Sequence, residues 1–258
     1  MVEEIFYGRP STIKCQRSLF KNWIAPHLPN DESGLDNHYL LKMIKLWQES
    51  GLKPGTVRLL AAILKKFVYA TTGREIKAPR LSRSLQNYNK EPVKAWAKTQ
   101  VKLALEAAKE TNPDLYDLIV VGLYTGCRPG EIFSLRGKDI NLLRGTISIV
   151  NTKTGKPRTI RMALELQNII IKYIKPGKEN DYLFKGKVPN DELRALCKFA
   201  KIPSITFHGL RHTHATLALE SGHSPRDVAR QLGHNRVSTC LDYYWQALND
   251  SLEVDWYD

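Results

Sequence analysis

Apolar residues in the first third of the chain recur at the spacing of an α-helix. One stripe is formed by Leu40, Leu41, Ile44 and Trp47, and a second by Val57, Leu60, Ala61, Leu64 and Val68. Spacings of three and four residues place such side chains on one helix face. Gly51 ends the first stripe, and Pro54 suits the first turn of the next helix. The pattern predicts a helical bundle with these side chains in its core.

The remainder of the chain combines helical patterns with one alternating segment. The β-rich run 146–150 and the alternating run 158–162 flank the turn sequence NTKTGKP, which predicts a β-hairpin. Helices are predicted near 94–110 and 114–124, then at 163–174, 190–200, 209–221 and 225–232, with a last one after His234. The predicted fold class is therefore mainly α with a small antiparallel β-sheet (α+β).

A polar stretch, APRLSRSLQNYNKEP, separates the two parts of the chain. It contains two prolines and no helical periodicity, which is typical of a linker. We therefore predict a helical domain at residues 1–78, a linker at 79–92 and a larger domain at 93–258.

The chain is strongly basic. Its 258 residues carry 39 Lys and Arg against 26 Asp and Glu, a formal charge of +13. Residues 1–92 hold 15 basic and 8 acidic residues (+7), which leaves 24 and 18 (+6) for residues 93–258. An excess of this size points to a polyanion such as nucleic acid. Because both parts are basic, we expect both to contact the same partner.

Several other classes of protein lack their sequence signals here. No apolar run reaches the ~18 residues of a transmembrane helix, and the first residues show no secretory signal. The four cysteines are far apart, which argues against a zinc ribbon or a disulfide framework. Neither a P-loop nor a dinucleotide-binding glycine motif is present. We expect a cytoplasmic protein with free thiols and without a membrane partner, a metal or another cofactor.

Four short segments stand out when they are taken together. They are TGCRPGE at 125–131, TKTGK at 152–156, HGLRH at 208–212, and LGH at 232–234 followed by Tyr243 and Tyr244. Their order, with a hairpin carrying the second, resembles the tyrosine recombinases, the group of phage integrases and Xer proteins. The resemblance covers the second part of the chain, and the first part resembles the family's core-binding domain only by position and helical character.

The resemblance implies a site-specific DNA recombinase. In the family, two domains close as a C-shaped clamp around double-stranded DNA, and a tyrosine forms a covalent 3′-phosphotyrosyl link. Neither ATP nor a metal is needed, since the energy of the broken bond is kept in the protein–DNA link. The family works as a homo-tetramer on two DNA sites, which implies a monomer or dimer when the protein is free.

Two arginines match the family's positions for holding the scissile phosphate, Arg128 and Arg211. In the transition state, charge builds on the two non-bridging oxygens, and a guanidinium fork suits them better than an ammonium group. Glu131, three residues after Arg128, is expected to pair with Arg128 and orient its guanidinium. Taken alone, such a pair would also be typical of an ordinary helix start.

Two lysines at the hairpin tip compete for one role. In the family, a hairpin lysine protonates the departing 5′-oxygen, and the small residues that follow Lys153 favour it for this role. We expect Lys156 and Arg158 to bind DNA instead. A lysine in a turn is also commonly just solvated.

Histidines supply the remaining polar candidates. His208 lies three residues before Arg211 on the same helix face and matches a general acid or base. His234 matches the family's histidine that bonds to the scissile phosphate, although a histidine at a helix end also interacts with the helix dipole. His208 and His212 are four residues apart, which could suggest zinc. No H-E-x-x-H motif is present, so we assign His212 a structural role.

The nucleophile is one of two adjacent tyrosines. The run STCLDYY resembles the integrase pattern that selects Tyr244, whereas an Xer-like distance from His234 selects Tyr243. On a helix the two side chains would point about 100° apart, so only one can face the phosphate. We predict Tyr244, with Tyr243 as the alternative.

Two other functions fit parts of the sequence. A type IB topoisomerase would use the same chemistry to nick and religate a single duplex. A non-catalytic transcription regulator would use residues 224–234, which resemble half of a helix-turn-helix.

Overall fold

The computed structural model describes residues 5–77, 94–152 and 157–234. The chain divides into two compact units, Met1–Lys90 and Glu91–Asp258, and the described residues of each contain a hydrophobic core. The predicted linker at 79–92 lies outside the described residues. Within the described ranges, no helix combines the length and the apolar character needed to cross a membrane.

The described part of the first unit contains three α-helices. They are Pro10–Trp23 (α1), Asn37–Glu49 (α2) and Pro54–Thr72 (α3), with 3-10 turns at Ala25–His27 and Glu32–Gly34 between α1 and α2. Asp36 caps α2 by accepting a hydrogen bond from the Tyr39 N–H at 2.8 Å. Gly73 ends α3 in the left-handed conformation, at φ +67°. These signals bound the two helices whose apolar stripes the sequence shows.

Both stripes lie in the core of this unit, with one exception. Leu41 is 44% exposed, whereas every other residue of the two stripes is buried. Trp47 is fully buried, and its indole N–H donates to the Trp23 carbonyl at 3.0 Å. This bond ties α2 to the end of α1, so the core depends on an indole that is both apolar and a donor.

The described part of the second unit contains seven α-helices and a three-stranded sheet. The helices are Lys98–Thr111 (α4), Pro113–Thr125 (α5), Pro129–Ile132 (α6), Leu164–Tyr173 (α7), Asn190–Phe199 (α8), Phe207–Glu220 (α9) and Pro225–Leu232 (α10). The sequence pattern predicts each of them except α6, whose four residues are too few to show a period. This mainly helical content with one small sheet confirms the predicted fold class.

The sheet has the strand order β1-β2-β3 and is antiparallel throughout. Its strands are Ile140–Asn141, Thr146–Ile149 and Arg158–Arg161. Ile147 pairs with Ile160, and Ile149 pairs with Arg158. The predicted hairpin is therefore confirmed. β1 is a third strand that the sequence does not predict, because two residues leave no alternation.

Close packing between α5 and α9 positions the functional residues. A Cβ atom at Gly122 of α5 would lie 2.9 Å from Leu210 Cδ1 of α9, so only glycine fits without rearrangement. Thr213 of α9 accepts a hydrogen bond from the Trp96 backbone N–H at 3.0 Å. The first contact holds α9 against α5, near the point where Arg128 follows α5 in the chain, and the second holds α9 against the segment that precedes α4.

Candidate active site

Seven residues that the sequence predicts for the site lie in the described part of the second unit. Arg128 and Glu131 lie at the start of α6, Arg158 lies on β3, His234 follows α10, and α9 carries His208, Arg211 and His212. The charges of Arg128 and Arg211 influence the pKa of His208 and of His234, so these elements share one electrostatic environment. The remaining predicted residues, Lys153, Lys156, Tyr243 and Tyr244, lie outside the described residues.

Two backbone carbonyls fix the guanidinium of Arg211. Nη1 donates to the Gly126 oxygen at 2.9 Å, Nη2 donates to the Leu232 oxygen at 2.8 Å, and the residue is 2% exposed. These oxygens lie at the C-terminal ends of α5 and α10, where carbonyls lack partners within the helix. Burial, followed by the charge of Arg128, lowers the pKa of Arg211 to about 10, so it remains a cation at neutral pH. A guanidinium has five N–H donors, and these two bonds leave capacity for an anion.

Gly126 and His214 pack closely together next to the carbonyls that bind Arg211. Gly126 has φ +61°, and a Cβ there would lie 2.6 Å from both His214 Cδ2 and Leu232 Cδ2. His214 Nδ1 lies 2.6 Å from the Leu123 carbonyl oxygen, so Nδ1 carries the proton, since a carbonyl only accepts. Nε2 then accepts a hydrogen bond from the Gln231 side-chain amide at 3.2 Å. His214 thus connects α9 to α5 and α10 as a neutral structural histidine.

Arg128 and Glu131 form a two-point pair around the start of α6. Glu131 Oε2 accepts the Arg128 backbone N–H at 2.9 Å, and Oε1 accepts its Nη1 at 2.9 Å. The contact expected from their spacing is therefore present. The Arg128 side chain is 25% exposed and that of Glu131 only 3%. The carboxylate holds the guanidinium from the interior while part of the cation reaches the surface.

A third guanidinium, that of Arg158 on β3, binds the same carboxylate. Its Nη2 donates to Glu131 Oε2 at 2.8 Å and its Nη1 to Oε1 at 3.2 Å. Its Nε donates to the Gln231 carbonyl at 2.7 Å, and Nη2 lies 3.5 Å from Cys127 Sγ. The side chain is 9% exposed. The sequence-based assignment of Arg158 to DNA binding does not match this geometry, because the guanidinium is directed into the protein.

Glu131 supplies the negative charge of this cluster. Burial raises the pKa of Glu131, but hydrogen bonds from Arg158 and from the Arg128 backbone, together with both charges, outweigh burial and hold its pKa below the usual value. Three guanidinium groups, of Arg128, Arg158 and Arg211, therefore accompany one carboxylate. Three positive charges against one negative charge leave an excess of two, which favours an anionic ligand.

The surrounding histidines are held neutral. Burial, then the charges of Arg211 and Arg128, lowers the pKa of His234 to about 4. Burial, then His208 and Arg211, lowers the pKa of His212 to about 4, and the rings of His208 and His212 meet edge to face at 4.7 Å. Burial and both arginines also lower the pKa of His208. A neutral imidazole can accept a proton or donate its N–H, so these groups suit proton transfer.

The described ranges contain no group of three His, Cys, Asp or Glu residues placed to hold a metal ion. The cysteines in these ranges, Cys15, Cys127 and Cys197, are free thiols. Cys127 is buried, and burial raises the pKa of its thiol, while the nearby Arg158 charge opposes that shift.

The alternation of residues along β3 indicates the interior position of Arg158, although the prediction that Arg158 binds DNA did not take it into account. Residues two apart on a strand project to the same face. Arg158 is two residues before Ile160, which lies in the core. The alternation of β3 therefore predicts an inward guanidinium. Gln231 and His214, by contrast, contribute through contacts between distant segments that carry no local pattern.

Comparisons with known proteins identify the family of this chain. Residues 94–250 match the phage integrase family, which is more than half of the chain. The chain therefore belongs to the phage integrase family, and the resemblance seen in its motifs is confirmed.

Two relatives illustrate the sequence similarity. Tyrosine recombinase XerA from Saccharolobus solfataricus is 37% identical over 161 residues, which are 61% of this chain but only 54% of that protein. The chain thus matches about half of that relative's length. Tyrosine recombinase XerA from Pyrococcus horikoshii is 28% identical over 218 residues, which are 79% of this chain and 73% of that protein.

Solved structures show the same fold at lower identity. The Tn1549 transposon integrase in complex with transposon right end DNA is similar with a TM-score of 0.72 and 19% identity, over 94% of each chain. The crystal structure of XerA recombinase is similar with a TM-score of 0.53 and 24% identity, over 94% of this chain and 89% of that one. These likenesses establish the fold of a tyrosine recombinase for this chain.

Proposed function

We propose that this chain is a tyrosine site-specific recombinase that cleaves and rejoins DNA through a covalent 3′-phosphotyrosyl intermediate. The observation that carries the proposal is the cluster of guanidinium groups around Glu131, beside histidines that are neutral at neutral pH. Family membership supplies the reaction class. The cluster supplies the cationic groups that a phosphodiester needs when charge builds on its oxygens.

Arg128 and Arg211 are the proposed clamp for the two non-bridging oxygens. Arg211 is immobilised by two carbonyls and Arg128 by Glu131, so neither guanidinium needs to reorganise when the transition state forms. His234, neutral at neutral pH, would donate an N–H to the same phosphate. His212 packs on His208 and would keep that ring in place.

In the proposed cleavage step, the phenol oxygen of Tyr244 forms a bond to phosphorus while the bond to the 5′-oxygen breaks. The phenol proton passes to the neutral imidazole of His208, and Lys153 gives a proton to the departing oxygen. Tyr243 is the alternative nucleophile. One phosphodiester replaces another, so the reverse attack by a 5′-hydroxyl of the partner strand rejoins the DNA without an external energy source.

The proposed substrate is double-stranded DNA, contacted by both units. The positive charge supports this, because +7 lies in residues 1–92 and +6 in residues 93–258. Lys156 would bind a phosphate near the hairpin tip. We further propose a homo-tetramer on two DNA sites. Among proteins of similar fold, a lambda integrase dimer has been solved bound to a COC′ core site.

The test is the capture of a covalent adduct. A library of nicked duplexes with a randomised centre is incubated with the protein, and protein-linked DNA is recovered under denaturing conditions and sequenced. We expect a recurring site, and an adduct that disappears in Tyr244→Phe but persists in Tyr243→Phe. The opposite result moves the nucleophile to Tyr243, and an adduct in both single variants would exclude these tyrosines.

The same substrate separates the alternative functions. Relaxation of supercoiled plasmid without strand exchange between two captured sites would identify a topoisomerase. Sequence-specific binding with no adduct at all would identify a non-catalytic DNA-binding protein. Strand exchange between two copies of the captured site is the outcome that the proposal expects.

A further inference from the structure

We propose that Arg158 is a positioning residue rather than a residue that binds DNA. It would hold Arg128 and the end of α10, which leads to His234, in the positions that catalysis requires. The inference rests on the proposed function, since it concerns the same site. It is drawn from the contacts of one buried guanidinium with two separate segments of the second unit.

Arg158 links elements that are far apart in the chain. From β3, it reaches both oxygens of Glu131 on α6, at 2.8 and 3.2 Å, and the carbonyl of Gln231 in α10, at 2.7 Å. Glu131 in turn holds Arg128, and Gln231 lies three residues before His234. One side chain thus supports two of the groups proposed to contact the scissile phosphate.

Only a guanidinium can satisfy this set of partners at once. Its planar fork supplies parallel N–H groups for both carboxylate oxygens and a third donor, Nε, for the carbonyl. An ammonium group is a point charge that cannot span the same positions. The packing is also close, because a Cβ added at Gly233 would lie 3.2 Å from Arg158 Nη1. Space and donor geometry together select arginine.

Exposure separates Arg158 from the arginine that it supports. The Arg158 side chain is 9% exposed and that of Arg128 is 25% exposed. Its Nε, Nη1 and Nη2 atoms each donate to a protein acceptor. The two hydrogen bonds of Arg211 use only Nη1 and Nη2, whereas those of Arg158 use all three nitrogen atoms, so Arg158 has less capacity left for a phosphate.

Loss of Arg158 would change the state of Glu131. The charged and titratable groups acting on Glu131 are Arg128 from α6, Arg158 from β3, Arg211 from α9 and the Cys127 thiol. Burial disfavours the ionised form of Glu131, and the hydrogen bonds and charge of Arg158 offset this effect. Without Arg158, the pKa of Glu131 would rise, so its carboxylate would bind a proton at a higher pH than in the wild type. A protonated Glu131 holds the Arg128 guanidinium less firmly. Cleavage should then fail first on the acidic side of the pH profile.

The experiment compares Arg158→Met and Arg158→Lys with a matched control, Arg161→Met. Arg161 lies on the same strand, is exposed, and its loss changes the charge by the same amount. Single-turnover cleavage is measured at saturating protein on a DNA site captured with the wild type. The pH is varied from about 5 to about 9, a range chosen around the pKa values of carboxylates and histidines. DNA affinity and its dependence on salt are measured on the same duplex.

We expect Arg158→Met to slow cleavage by roughly 10- to 100-fold, as for other residues that orient a functional group, with DNA affinity within about threefold of the wild type. Its acidic limb should move to higher pH. Arg158→Lys keeps the charge without the fork, so its rate should lie between those of the wild type and Arg158→Met. Arg161→Met should cleave like the wild type.

Two results would overturn the inference. The first is cleavage by Arg158→Met at the wild-type rate with an unchanged pH profile. The second is a parallel loss of affinity and cleavage with a salt slope reduced by about one, which would make Arg158 a phosphate contact. If Arg158→Met does not fold, Arg158→Lys decides by the same readouts, and a wild-type pH profile and rate in it would reject the proposal. Absence of any adduct with the wild type would instead reject the proposed function.

Discussion

Replacing Gly126 by alanine is expected to impair both the stability and the chemistry of the second unit. Gly126 has φ +61°, where an alanine is about 1–2 kcal/mol less favourable than glycine. The new Cβ would also lie 2.6 Å from ring and methyl carbons of His214 and Leu232, and such overpacking costs about 1–3 kcal/mol. Together these effects amount to roughly 2–5 kcal/mol. For a unit of this size, they correspond to a fall in Tm of about 4–20 °C.

Three other glycines of the second unit separate the two contributions. Gly222 has φ +85° with open space around it, so Gly222→Ala carries the backbone cost alone. Gly122→Ala carries the steric cost alone, since its Cβ would meet Leu210 at 2.9 Å from within a helix. Gly130→Ala carries neither. Thermal unfolding, followed by circular dichroism at one pH and salt concentration, should rank Gly130→Ala nearest the wild type and Gly126→Ala lowest.

The functional effect of Gly126→Ala follows from its carbonyl, which anchors Arg211 at 2.9 Å. Measured well below the Tm of both variants, single-turnover cleavage should be slower for Gly126→Ala than for Gly222→Ala. A Tm for Gly126→Ala equal to that of Gly130→Ala would refute the packing argument. Equal cleavage by the Gly126 and Gly222 variants would refute the role of this carbonyl in fixing Arg211.

Further predictions concern the charged groups. Arg128→Ala should slow cleavage by about 10²–10³-fold with DNA binding retained within about threefold, as checked by gel shift and single-turnover assays; equal losses in both would indicate a generic phosphate contact. Arg211→Lys should be similarly slow, because lysine cannot reach two carbonyls and a phosphate together; a wild-type rate would contradict this. The Tm should fall as pH drops from about 6.5 to about 4, because unfolded histidines bind protons that His212 and His234, with pKa values of about 4, do not. A flat Tm profile would contradict those shifts. The logarithm of the DNA-binding constant should fall linearly with the logarithm of salt concentration, and a flat response would contradict a charged interface.

Helices and strands were predictable where they are long enough for the spacing of apolar residues to repeat. The stripe along α3 and the alternation at 146–150 and 158–162 span several repeats, and the structure contains both elements. α6 and β1 have four and two residues, so their existence depends on tertiary contacts instead. α1 has a single buried residue, Phe20, and this leaves too thin an apolar stripe for a prediction.

The site was predictable in part for a related reason. Arg128, Glu131 and Arg211 occur in short motifs that indicate a functional role from neighbouring residues alone. The Arg128–Glu131 contact follows from the spacing of the two residues. The partners of Arg158 come from α6 and α10, more than 25 residues away in each direction, as the separations of 27 and 73 residues show. Such contacts depend on how the elements pack. Residue type alone suggested a DNA contact, and packing placed the same charge inside the protein.

The covalent link to DNA offers the most direct test of the proposed chemistry. The adduct formed with a captured DNA site is digested with protease and nuclease, and mass spectrometry locates the residue that retains a nucleotide. We expect one 3′-linked nucleotide on Tyr244, formed by the wild type and lost or strongly reduced in Arg211→Ala. A nucleotide on a residue other than Tyr244 or Tyr243, or an adduct yield that does not depend on Arg211, would contradict the proposed mechanism.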